Sequence, residues 1–103
     1  MIEIKTTGQA KNWRDEREPL FSIDGVEYTI PVSIPTNVGL RAMRKVAELG
    51  EIAGTQWLLV YLLGQDAWDA LEGCADLTRA DLTAIQEVVR TKAFGDQEAE
   101  GKG

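Results

Sequence analysis

Residues 56–64 read QWLLVYLLG, and Trp57 through Leu63 are apolar or aromatic without a break. At about 100° per residue, seven such positions go round a helix more than once, so the segment is hydrophobic on every side. At roughly 1.5–3 kcal/mol for each large side chain buried, it represents on the order of 10–20 kcal/mol, comparable with the whole net stability of a small domain. It has to be covered, yet it is far short of the roughly 20 apolar residues that a membrane span needs. The fold is therefore expected to form round a central helix from about Glu51 to Leu63, ended by Gly64, with the rest of the chain as its cover.

On the C-terminal side, Asp66 suits the cap of a short helix, DAWDAL, before Gly73 breaks the chain. Thr78 and Asp81 have capping-box spacing, with Leu77 placed to staple against Leu82. Leu82, Ile85, Val88 and Val89 then form an apolar stripe that Phe94 and Gly95 close. The last stretch, DQEAEGKG at 96–103, has nothing to bury and is expected to be a disordered acidic tail.

On the N-terminal side, Thr36 or Asn37 can cap a helix running to Leu49, with Gly50 as its left-handed stop. Leu40, Met43, Val46 and Ala47 are expected to line its buried side. Before it, LFSIDGVEYTI holds Asp24-Gly25, a favoured pair for a two-residue type I′ turn. That turn sets Ile23 opposite Val26 and Phe21 opposite Tyr28, with all four and Ile30 on one apolar face. Pro31 and Pro35 stop the second strand. An isolated two-stranded ribbon is marginal in water, so the hairpin should lie on the helices.

The expected class is α+β, mainly α: an N-terminal β-hairpin packed on a compact bundle of about four short helices. Residues 1–19 form a polar segment in which the alternation of MIEIK suits a short strand, 20–95 hold the hairpin and helices, and 96–103 are the tail.

The 103 residues include no His and carry a formal net charge of -6. Without His the commonest general base and metal ligand is missing, and the single Cys74 has no imidazole to activate it. Asp66 and Asp69 stand at helical spacing, but a cap and an exposed residue explain them better than paired-carboxylate catalysis. No catalytic set, cofactor loop or metal spacing is legible, and a non-enzymatic role is expected. The acidic balance repels phosphate backbones and anionic lipid surfaces. The exception to weigh is Arg41, Arg44 and Lys45, which at i, i+3, i+4 could serve a helical DNA-binding regulator, although Glu48 lies on the same stripe and a solvated face explains them. The first residues lack the pattern of a secretory signal, so a reducing cytoplasm is expected.

Two readings of the apolar run stand side by side. Either the hairpin and the other helices enclose it completely, or four short helices and one hairpin cannot do so and Trp57, Leu58, Tyr61 or Trp68 shows at the surface as a partner-binding patch.

The order of features also carries a resemblance. FSIDGVEYTIPVSIPTNVGLRAMRKVAELG, then LLVYLLGQDAWDAL, then ADLTRADLTAIQEVV, is similar to the tail assembly chaperones of long-tailed, siphovirus-type phages and prophages of actinobacteria, over roughly residues 20–95. The resemblance implies a non-catalytic helper in the host cytoplasm, absent from the mature virion, that binds the tape measure protein and recruits tail tube protein. It also implies a second, longer product by -1 ribosomal frameshifting, and Glu100-Gly101-Lys102 is compatible with a slippery G GGA AAA or G GGA AAG near the end of the short frame. A tape measure protein is long and rich in apolar helical faces, so its carrier needs an apolar groove that QWLLVYLLG could line. A small structural subunit of the phage particle, such as a connector, is the alternative.

Overall fold

The strongest local signal sets the first sheet. In the computed structural model, which describes residues 1–95, strands β1 (Arg17–Ile23) and β2 (Val26–Pro31) pair antiparallel, with Phe21 opposite Tyr28 and Ile23 opposite Val26. Asp24 and Gly25 take φ of 50° and 83°, the left-handed pair that a type I′ turn requires. The ladder shifts register between Pro19 and Phe21, leaving Leu20 as the bulged residue. The strand starts at Arg17 rather than near residue 20. The hairpin is covered unevenly: Ile30 at its base is fully buried, whereas Val26 at its tip is 55% exposed and does not share the buried face as expected.

Four helices follow: α1 (Thr36–Leu49), α2 (Glu51–Leu63), α3 (Gln65–Glu72) and α4 (Arg79–Phe94). The chain is thus α+β and mainly α, a two-stranded hairpin followed by a four-helix bundle. Gly50, Gly64 and Gly95 stop α1, α2 and α4 with φ of 97°, 99° and 82°, a region that only glycine enters at low cost. Thr78 and Asp81 form the expected capping box, Asp81 N–H donating to Thr78 Oγ1 at 3.0 Å and Thr78 N–H to Asp81 Oδ2 at 3.3 Å.

As its composition demands, α2 is central. Leu58, Leu59 and Leu62 are buried, Trp57, Val60, Tyr61 and Leu63 are half-buried, and none of the seven is exposed. They pack with Ile30, Val38, Ala42, Leu71, Ile85, Val89 and Ala93 in one core.

Several local expectations fail. The buried side of α1 is Val38, Gly39 and Ala42, whereas Leu40, Met43, Val46 and Ala47 are all exposed. The reason is close approach at glycines. A Cβ on Gly39 would lie 2.6 Å from the Ala93 carbonyl oxygen, and one on Gly54 would lie 2.6 Å from Val46 Cγ2. The chain packs α1 against its neighbours through Val38, Gly39 and Ala42 and seats Val46, 39% exposed, against Gly54, and this leaves Leu40, Met43 and Ala47 outward. Thr36 is the first residue of α1 rather than its cap, which is Pro35, and Gly64 rather than Asp66 precedes α3, with no side-chain cap on either helix. On α4, Val88 is 39% exposed and Ala93 takes the buried place instead. MIEIK forms no strand, and a short 3-10 turn (Gln9–Asn12) follows it. The expected tail at 96–103 lies outside the described residues.

Candidate partner-binding surfaces

Of the four residues singled out on the apolar run and beside it, the structure joins two. Trp57 and Tyr61, one helical turn apart on α2, stack with centroids 4.8 Å apart and planes 12° from parallel. Trp13 extends the stack, 6.2 Å from Tyr61 and tilted by 41°. Leu58 is only 6% exposed, so it belongs to the core and cannot be a surface contact. Trp68, on α3, is half-buried against the core and makes no ring contact among the described residues.

Cations crowd this aromatic ladder. The Arg14 guanidinium lies 4.4 Å from the Trp13 centroid and 4.3 Å from that of Tyr61. Arg41 donates to the Tyr61 hydroxyl at 3.3 Å, and Lys45 stands 5.8 Å from the Trp57 ring. Such contacts contribute about 0.5–1 kcal/mol each at exposed sites. Arg41 and Lys45 are thereby engaged with α2, and Lys45 also approaches Glu48 at 4.0 Å. The three basic residues of α1 do not present a single free face.

The polar N-terminal stretch has a structural task that its composition concealed. Arg14 donates to the Tyr61 carbonyl at 3.0 Å and Arg17 to that of Leu62 at 3.0 Å. These are among the last carbonyls of α2, which lack intrahelical partners and sit at the negative end of the helix dipole, so guanidinium groups are well placed there. The two arginines line a cavity of about 310 Å³ with Tyr28, Tyr61, Leu63 and Asp66.

The surface that sequence reasoning missed is on α1. Leu40 is 61% and Met43 58% exposed, and Ala47 stands with them, roughly 100–160° round the helix from the buried Ala42. Val46 and Leu49 are also exposed, and Ile52, on the first turn of α2, is 87% exposed. Single exposed apolar side chains are ordinary, but a contiguous group of them marks an interaction surface. The signal that could have found it is angular. Val38, Ala42, Val46, Met43, Ala47 and Leu40 together occupy an arc of roughly 200°, wider than the contact one flank of neighbours can cover. One part of that arc had to face solvent.

No group of three or more acidic, His or Cys side chains able to hold a metal occurs among the described residues. No described helix is long and apolar enough to cross a membrane. Comparison with known protein families, curated proteins and solved structures finds no match.

Proposed function

We propose that this chain is a tail assembly chaperone of the kind made by long-tailed actinobacterial phages and prophages. It holds the tape measure protein in the host cytoplasm, recruits tail tube protein to it, and is left out of the finished virion. The observation that carries this reading is the uncovered apolar stripe of Leu40, Met43 and Ala47 on a chain of net charge -6. An acidic carrier stays dispersed through self-repulsion while offering one strip of apolar surface to an amphipathic helix. The half-buried Trp57 and Tyr61 of α2 form the second contact, and the half-buried Trp68 of α3 adds to it. The longer frameshift product, sharing residues 1 to about 102, is the third partner. No catalysis or cofactor enters this role.

The test is a binding titration between the full chain and helical segments of the tape measure protein encoded beside it. Leu40→Asp with Met43→Asp should weaken binding at least tenfold while the circular dichroism spectrum stays unchanged. Undiminished binding by that variant removes the α1 stripe from the contact, and no binding by the parent chain overturns the reading.

A further inference from the structure

The apolar stripe of α1 is bordered differently on its two sides. On one side stand Gly39 and Val46, already taken by α4 and by Gly54 of α2. On the other stand Arg44 and Glu48, roughly 70° and 110° round the helix from the middle of the stripe. Both are exposed. Arg44 has no hydrogen-bond or ion-pair partner among the described residues, and Glu48 has only Lys45, at 4.0 Å. The open border of the stripe is thus basic toward the N-terminus of α1, where Arg41 stands with Arg44, and acidic at Glu48 toward its C-terminus.

A helix that lies along this stripe has to bring an apolar line, an acidic residue near Arg44 and a basic residue near Glu48. A second copy of α1, running antiparallel, brings all three. A two-fold axis perpendicular to the helices sets the same border of each copy side by side, with the basic half of one against the acidic half of the other. With Met43 of each copy opposite Ala47 of the other, Arg44 comes within about 3 Å, along the helix axis, of Glu48 of the second copy, and symmetry makes the pair twice. A parallel pairing sets Arg44 against Arg44 and Glu48 against Glu48, and like charges in contact repel.

We propose that two copies of this chain pair through α1, antiparallel and two-fold, with Leu40, Met43 and Ala47 at the centre and Arg44 of each copy against Glu48 of the other. The net charge of -6 on each copy opposes the approach only weakly, because repulsion between exposed charges is screened beyond about 10 Å in 0.1 M salt. The apolar line is short, so the interface is a small and transient one that opens on dilution and leaves the stripe to the partner helix proposed above.

Sedimentation equilibrium of the full chain alone tests the pairing. The parent should dimerise as its concentration rises, and Leu40→Asp with Met43→Asp should weaken the dimer roughly tenfold. Arg44→Glu and Glu48→Arg change the net charge in opposite directions, yet each should also weaken it roughly tenfold, because each sets like charges together across the two-fold axis. Circular dichroism should be unchanged in all of them. An equimolar mixture of Arg44→Glu with Glu48→Arg should recover most of the lost affinity as a heterodimer, since each copy then meets opposite charges on the other while like charges remain within each helix. No other protein enters, so this test and that of the tape measure contact succeed or fail separately. A chain that stays monomeric throughout the concentration range overturns the proposal, as do a dimer indifferent to the stripe variant and a mixture no tighter than its two components alone.

Discussion

Helices α1 and α2 are antiparallel neighbours rich in apolar residues, and they spend them differently. All seven residues from Trp57 to Leu63 of α2 are at least half-buried, whereas α1 buries Val38, Gly39 and Ala42 and leaves Leu40, Met43 and Ala47 in solvent. A helix that is apolar all round has no orientation to choose, so its fate follows from its composition. A helix with a wide apolar arc must choose which part to bury, and α1 chooses by closeness of approach rather than by side-chain size. Its Gly39 admits the backbone of α4, and its Val46 lies directly against Gly54 of α2. Dispersion and exclusion of water favour the denser contact. The larger side chains are thereby left available for a partner.

The sharpest attack on this contrast is Leu62→Ala, at a position only 1% exposed. A cavity at the centre of α2 should cost about 2–5 kcal/mol in chemical denaturation, and a loss below about 1 kcal/mol would mean that α2 is not the centre of the core. Gly54→Ala tests the close approach itself. Its Cβ would meet Val46 backbone atoms at 2.8 and 2.9 Å, so the helices must separate, and a destabilisation of about 1–3 kcal/mol is expected despite the better helix propensity of alanine. Stabilisation would show that α1 and α2 are less tightly joined than the structure has them.

Smaller is the effect of Arg17→Ala, which leaves the Leu62 carbonyl without its guanidinium partner. A loss of about 1 kcal/mol is expected in thermal melts, reduced by the exposure of the arginine. Smallest of all is Met43→Glu on the open side of α1, expected to lie within about 0.5 kcal/mol of the parent, as exposed sites usually do. A loss of several kcal/mol there would show that the stripe is covered, and the contrast between the two helices would fail.

What the sequence determined by itself was decided over a few neighbouring residues. Asp24-Gly25 set the hairpin register, Thr78 with Asp81 set the start of α4, and Gly50, Gly64 and Gly95 set three helix ends, because turns and caps are settled by backbone sterics and hydrogen bonds within one turn. The central place of α2 followed from an apolar run that leaves no side for water. The candidate site was legible only in part: Trp57 and Tyr61 do form a half-open aromatic pair, but Leu58 lies in the core and the α1 stripe was assigned to the wrong side. Tertiary structure alone decided which part of the α1 arc is buried, since the glycines and the residues they meet, Gly39 with Ala93 and Gly54 with Val46, are separated in sequence. It also decided that Arg14 and Arg17, in a stretch that reads as solvated charge, close the C-terminal end of α2 some 45 residues on. Local patterns state which residues need cover or a partner, while the choice among covers depends on shape complementarity between elements distant in the chain, a quantity that no single segment contains.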